Sequence, residues 1–203
     1  MRVENLSFPL TISAPQAALF HCLSEGAEPR RLYLERPEGA EAGYWREEYG
    51  LELRSLEEAG EAGKAHLPLL EERDDIPALL ADLLGQARTA HSGFPVSAVL
   101  ETDLGLVSGV NIECSDWSRG LCAERVALAK AVAAGANAFR RLHIHTGEGE
   151  FSSPCGACRQ VLAEHMPGAT LCLHHADRSR SDFFACDLLP YGFHSSALRN
   201  SSS

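Results

Sequence analysis

Apolar residues in this chain recur with two periods. Ile76, Leu79, Leu80, Leu83, Leu84 and Ala87 keep the 3.6-residue spacing of one helical stripe, with Asp74 and Asp75 ahead of them as caps. Pro77 falls in the first turn, where a missing N–H breaks no intrahelical bond. A second helix is predicted from Cys122 through an Ala-rich run that stops at Gly135, and a third opens at Pro154-Cys155-Gly156 and runs to about His165. Between them lie strand-like stretches. Residues 94–101 and 106–113 read as a hairpin around Thr102-Asp103-Leu104-Gly105, and 141–146 and 170–174 as further strands. Residues 181–189 read as a last helical or turning stretch. Strands alternating with helices imply an α/β fold, a mixed sheet covered by helices.

The first 70 residues follow a separate pattern. Strands are predicted over 3–12, 31–35 and 44–53, the last from alternating aromatic and acidic residues, and a short helix over 15–23 with Ser13 near its cap. Residues 57–63 form a charged, Gly-containing turn or linker. The expected organisation is a small α+β module over 1–70, a main domain over 71–194 and a tail over 195–203.

Composition narrows the classes of function. The chain has 203 residues, 45% hydrophobic and 23% charged, the balance of an ordinary soluble protein. No apolar run reaches the length of a membrane span, and the N-terminus, with Arg2 and Glu4, lacks a signal-peptide core, so a cytoplasmic protein is expected. A net charge of −10, with Lys and Arg only in short pairs such as Arg30-Arg31, argues against a nucleic-acid partner. The seven cysteines are an odd number with no sign of secretion, which disfavours a disulfide framework.

Three of those cysteines carry the candidate chemistry. Cys155 and Cys158 have the spacing of a metal-binding pair, and Cys122 adds a third soft ligand upstream. Three thiolates suit Zn²⁺, and three protein ligands rather than four leave a position open, as in catalytic sites. Glu124, two residues after the first ligand, is an acid placed to serve such a site. Both ligand segments begin helices, whose N-terminal N–H groups favour thiolates, and Arg125 and Arg159 are placed to soften the negative charge. Cys22, Cys114, Cys172 and Cys186 are expected to be small core residues, and His143, His145, His174 and His175 structural histidines. Asn111 and Glu113 share one face at a strand end. An amide and a carboxylate there suit an alcohol ligand, and a solvent-facing pair is the alternative. Phe94 before a strand reads as core or as a ligand wall.

Taken in order, Asn111-Ile112-Glu113, Leu121-Cys122-Ala123-Glu124-Arg125, Pro154 to Gln160 and Leu188-Leu189-Pro190 with Phe193 resemble the zinc-dependent cytidine deaminase family in its three-cysteine, free-nucleoside form. The run from His91 to Val96 is a weaker match, and the resemblance spans 74–194, about three-fifths of the chain. It implies the family's three-layer α/β/α core and a catalytic domain over 71–194. It also implies hydrolytic deamination of cytidine or deoxycytidine in pyrimidine salvage, with Zn²⁺ on Cys122, Cys155 and Cys158 and Glu124 carrying protons. The same resemblance gives Asn111 and Glu113 to the sugar and Ala123 and Glu124 to the amino-bearing edge of the base. Phe94 and Phe193 become pocket walls, with Phe193 reaching a neighbouring subunit of a homo-oligomer, a tetramer in preference to a dimer. Trp117 and Cys114 depart from the family, which commonly has Tyr and Asn there. The departures admit a modified cytosine or an aminonucleoside antibiotic as an alternative substrate, and a non-enzymatic zinc scaffold stands as the reading from a different class.

Overall fold

The structure, a computed structural model, describes residues 10–60, 69–70, 75–147 and 153–192. The chain first forms α1 (Ala14–Ser24), capped by the Ser13 hydroxyl accepting from Gln16 N–H, and then β1 (Arg31–Leu34). α2 (Ala40–Tyr49) follows, ending at Gly50 in the left-handed region, and β2 (Glu52–Ser55) pairs in parallel with β1. The strand expected over 44–53 is therefore largely helix. Ala42, Trp45 and Tyr49 are spaced for one helical face, and Ala42 and Trp45 are buried on it. The aromatic–acidic alternation in this segment was a weaker guide than that spacing. Residues 3–9 of the first expected strand and 61–63 of the expected linker lie outside the described residues; Leu56–Ala59 form a 3₁₀ turn closed by a Ser55–Glu58 capping box.

The remaining elements build the core. They are β3 (Leu69–Leu70), α3 (Ile76–Leu83), β4 (Val96–Thr102), β5 (Leu106–Val110), α4 (Ala123–Ala134), β6 (Phe139–Thr146), α5 (Gly156–His165), β7 (Thr170–His174) and β8 (Arg180–Phe184). Their sheet has the order β3-β5-β4-β6-β7-β8, with β6 and β7 parallel and every other pair antiparallel. β8 occupies part of the stretch read as helical; its exposure alternates along Arg-Ser-Asp-Phe-Phe, the pattern of an edge strand with a thin apolar signal, and a 3₁₀ turn (Ala185–Leu188) follows.

Two helical layers enclose the sheet. Leu79, Leu80 and Leu83 of α3 pack on Val99 and Val110. On the other face Ala123, Ala127, Leu128 and Ala131 of α4, with Val161 and Leu162 of α5, pack on Ala98, Leu100, Leu142, Ile144, Leu171 and Leu173. The mixed sheet between two helical layers is the expected α/β/α core. The segment before residue 60 covers the outside of α4: Leu19, Phe20, Trp45 and Leu51 share a cluster with Val126, Ala129 and Leu121. Each buried side chain of that size stabilises by about 1.5–3 kcal/mol. A polar joint lies beneath this cluster, where the buried Lys130 ammonium donates to Ser24 Oγ (3.2 Å), Ser108 Oγ (3.1 Å) and the Glu25 carboxylate.

α4 sits unusually close to the sheet. A methyl group built on Gly109 of β5 would come within 2.4 Å of the Ala123 carbonyl oxygen and 2.5 Å of the Ala127 nitrogen. Glycine at 109, with alanines at 123, 127 and 131, lets backbone rest on backbone. Of the remaining cysteines, Cys114 and Cys172 are buried as expected, whereas Cys22 and Cys186 are exposed. Cys22 lies on the outer side of α1, away from buried Leu19, Phe20 and Leu23, and Cys186 lies in the 3₁₀ turn after β8, where only Ala185 is buried. The histidines are hydrogen-bonded: His143 bonds through one nitrogen with His174 (3.0 Å) and through the other with Glu101 (2.9 Å), His145 with the His174 carbonyl, and His175 with Ser181. Among the described residues, no helix is long and apolar enough to cross a membrane.

Candidate active site

The two helix starts predicted at the cysteines meet. Cys122 is the N-cap of α4 and Cys155 the N-cap of α5, neither closed by a side-chain cap bond, and Cys158 lies one turn into α5. Cys122 Sγ and Cys155 Sγ are 3.7 Å apart, and the three sulfurs lie within 4.8 Å of one another. Cys158 is buried, Cys122 half-buried and Cys155 exposed, so the cluster opens on one side. The thiols share their protons unequally. Hydrogen bonds with Cys122 and Cys158 push the Cys155 thiol far down, the bond with Cys155 pushes Cys122 up to about 12, and bonds with Cys122 and Cys155 push Cys158 well above the ordinary thiol value. Converging sulfurs that resist joint ionisation are a set completed by a soft cation.

Glu124 supplies a second mark of an incomplete site. It is buried, and its Oε2 has no hydrogen-bond partner among the described residues. Burial raises its pKa, opposed by its own backbone N–H. An orphaned carboxylate oxygen beside three thiols is costly unless a ligand meets it. Arg125 stands beside the same sulfurs: burial acts to lower its pKa, and the charges of Cys158 and Cys122 outweigh that and raise it. Arg159 works elsewhere, donating to the Pro154 carbonyl (2.7 Å), Ser153 Oγ (2.7 Å) and the Leu188 carbonyl (3.3 Å), so it braces the entry to α5 rather than the thiols.

A cavity of about 180 Å³ lies against the cluster, lined by Asn111, Glu113, Cys114, Trp117, Cys122 and Arg125 among others. Asn111 and Glu113 follow directly on β5 and are already bonded. Asn111 Oδ1 accepts from Val96 N–H (2.8 Å) and its Nδ2 donates to the Phe94 carbonyl (2.9 Å), stitching 94–96 to the strand end. Glu113 accepts from the backbone N–H groups of His91 (2.8 Å) and Ser92 (3.0 Å) and from Ser92 Oγ. These bonds lower its pKa against the pull of burial, so it is ionised at neutral pH. By the donor and acceptor inventory, one Asn111 N–H and about one Glu113 lone pair stay available. Ala123 is the buried first residue of α4. Phe94 and Trp117 are 43% and 69% exposed, with the Trp117 ring tilted over His91 at 5.9 Å. The structure thus gathers Cys122, Cys155 and Cys158 at one point, sets Glu124 within interaction range of Cys155 and Cys158, and holds Asn111 and Glu113 along the adjoining cavity; Phe193 lies outside the described residues. Sequence reasoning missed Gly109, which seats α4, Ser92, which orients Glu113, and Glu48 of α2, which accepts from Ser115 N–H (2.8 Å).

Fold and cluster define an α/β/α metalloprotein with, among the described residues, one soft-metal centre on two helix N-termini. Residues 72–173 match the cytidine and deoxycytidylate deaminase zinc-binding region, and the chain belongs to that family. Among its relatives is the cytidine deaminase of Sporosarcina psychrophila, 45% identical over 85 residues, a match covering 41% of this chain and 62% of that protein. The cytidine deaminase of Mycobacterium tuberculosis is 36% identical over 108 residues, covering 53% of this chain and 78% of that one. The crystal structure of the cytidine deaminase from Burkholderia pseudomallei superposes with a TM-score of 0.55 at 32% identity, covering 59% of this chain and 99% of that chain. The resemblance drawn from the motifs is thereby shown, with its zinc. Residues before 72 lie outside the family match.

Proposed function

We propose that this protein hydrolyses the exocyclic amine of cytidine and deoxycytidine, giving uridine or deoxyuridine and ammonia. The observation that carries the reading is the buried, unpartnered Glu124 Oε2 beside the three sulfurs. Cys122, Cys155 and Cys158 hold the metal. The chemistry a bound Zn²⁺ supplies is Lewis acidity, which makes water nucleophilic near neutral pH. Glu124 takes a proton from the attacking water and delivers it to ring N3, then takes the second proton from the C4 hydroxyl and passes it to the amine, so that the C4–N bond breaks as the C4 carbonyl forms and ammonia leaves. Burial favours its protonated form, which suits a group that must hold a proton between those steps. The first turn of α4, with Ala123, faces the amino-bearing edge of the base. The spare Asn111 N–H and Glu113 lone pair hold a sugar hydroxyl, and Phe94 screens the ring from water.

An ionised Glu113 beside the sugar, with a net charge of −10, favours a free nucleoside over a phosphorylated one. The relatives do not favour the modified-cytosine or scaffold alternatives. The exposed Trp117 on the cavity wall supports a homo-oligomer in which Phe193 of a neighbouring copy closes the site, a tetramer before a dimer. A cytoplasmic place in pyrimidine salvage accords with a nucleoside substrate. Ammonia release should be measured with cytidine, deoxycytidine, cytosine, the monophosphates and single-stranded DNA. Cytidine or deoxycytidine is expected to give the highest kcat/KM, and a monophosphate that matches or beats both overturns the free-nucleoside reading.

A further inference from the structure

The segment before residue 60 does more than cover α4. The loop between Glu113 and Cys122 is pinched at its base, where Ile112 N–H donates to the Leu121 carbonyl (2.9 Å) and Leu121 N–H to the Ile112 carbonyl (3.0 Å). Gly120 lies against that base, since a methyl there would meet the Ile112 carbonyl oxygen at 3.0 Å. The loop beyond the pinch supplies Cys114, Trp117 and Gly120 to the cavity beside the thiols, so its shape is the shape of that wall. Among the described residues, the side-chain hydrogen bonds from 114–116 to other elements all reach α2. Ser115 N–H donates to Glu48 Oε1 (2.8 Å) and Ser115 Oγ to Glu48 Oε2, Asp116 N–H donates to the Tyr44 hydroxyl (3.3 Å), and the Tyr49 hydroxyl meets Cys114 Sγ (3.4 Å). The same segment grips the loop further on: Gln16 Nε2 of α1 donates to the Arg119 carbonyl (2.7 Å), and the Arg119 guanidinium lies 4.4 Å over the Tyr44 ring. Glu48 and Tyr49 also line a second cavity of about 560 Å³ that reaches Glu113 and His91.

We propose that α2 is the support behind a wall of the nucleoside site, with Glu48 as a positioning residue that holds Ser115, and with it the flanking Cys114 and Asp116, against the sugar side of the cavity. The inference rests on the nucleoside reading above and adds a role for a region outside the family match. A carboxylate that accepts two bonds from one serine fixes both its backbone and its side chain, which a single contact would not do. Because Glu48 touches neither the metal ligands nor Glu124, its removal should loosen substrate binding more than it slows the chemical step.

The test is Glu48→Ala and Glu48→Gln in the full zinc-loaded protein. KM and kcat for cytidine, the Kd for uridine by calorimetry, zinc content and thermal midpoint are each measured. Glu48→Ala is expected to raise KM and the uridine Kd about tenfold, with kcat within about threefold of the parent and zinc unchanged. Glu48→Gln keeps an acceptor for Ser115 N–H and should recover most of the loss. Unchanged KM and Kd in Glu48→Ala overturn the inference alone, as does a loss confined to kcat in proportion to lost zinc or lost fold. If Glu48→Ala cannot be obtained folded, Tyr44→Phe decides: a smaller KM rise in the same direction supports the inference, and a parental KM overturns it. A parent that releases no ammonia from any nucleoside overturns the function and this inference with it.

Discussion

The core and the segment before residue 60 handle their polar groups in opposite ways. At the thiol cluster, groups are left wanting. Three sulfurs crowd one another and Glu124 Oε2 has no partner among the described residues. The earlier segment leaves few loose ends: Lys130 is met by Glu25, Ser24 and Ser108, Arg88 by Glu28 (2.8 Å), and Ser115 by Glu48. At the cluster, unmet valence accords with a place for a ligand, and in the earlier segment met valence marks where one part of the chain grips another. The contrast separates chemistry from support without recourse to burial, since Glu124 and Lys130 are both buried.

The sharpest way to break that contrast is Glu124→Gln. It keeps the volume and removes the group proposed to move protons, so kcat should fall about 10²- to 10⁴-fold while zinc content and circular dichroism stay at parental values. Turnover within about tenfold of the parent would show that another group carries the protons. Gly109→Ala attacks the seat of the same helix. With backbone atoms as close as 2.4 Å to the new methyl, α4 must lift, and the unfolding free energy should drop by about 3 kcal/mol or more with a loss of zinc affinity. A variant with parental zinc affinity and denaturant midpoint would show that the helix can give way cheaply.

Much of the core could be read from the chain because its signals are local. Cys122 and Gly135 bracket α4, Pro154 and Cys155 open α5, and the apolar run at 170–174 is β7 to the residue. The three clustered cysteines were visible as spacing and as residue type. The support was not visible, because its determinants are distant in sequence. Ser115 and Glu48 are 67 residues apart and Lys130 and Glu25 are 105, and nothing in the flanking residues of either announces the other. α2 was misread because Tyr44, Trp45 and Tyr49 have strand-like side chains, while their spacing suits a helix whose buried face meets α1 and α4.

Glu25→Gln sharpens the other side of the comparison. It leaves the Lys130 ammonium buried with two hydroxyls, and should lower the unfolding free energy by about 2 kcal/mol with kcat unchanged. Burial already lowers the pKa of Lys130 and the Glu25 carboxylate pulls it back up, so the folded protein favours the charged amine less once that carboxylate is neutral. The deficit should therefore narrow as pH rises through the lowered pKa of the folded amine, below the ordinary lysine value of 10.5, because above it the folded amine is neutral with or without the carboxylate. A deficit independent of pH would assign the loss to packing instead. Glu28→Gln, which breaks the exposed pair with Arg88, is the smallest step and should cost about 0.2–1 kcal/mol at most.

The backbone seat of α4 on Gly109 bears on how freely this sequence can drift. Where a helix is held off a sheet by interdigitating side chains, each change of size beneath it shifts its height, and neighbours must change in step. Here Ala123, Ala127 and Ala131 carry nothing longer than a methyl, so the height of α4 at its chemical end is indexed to main-chain atoms that substitution does not alter. Leu142, Ile144, Leu171 and Leu173, further along the sheet, are then free to exchange among residues of similar volume without displacing Cys122 or Glu124. Diversity should accumulate at those four positions before it reaches 109, 123 or 127, and a library randomised across both sets, selected for zinc retention, would read out that order directly.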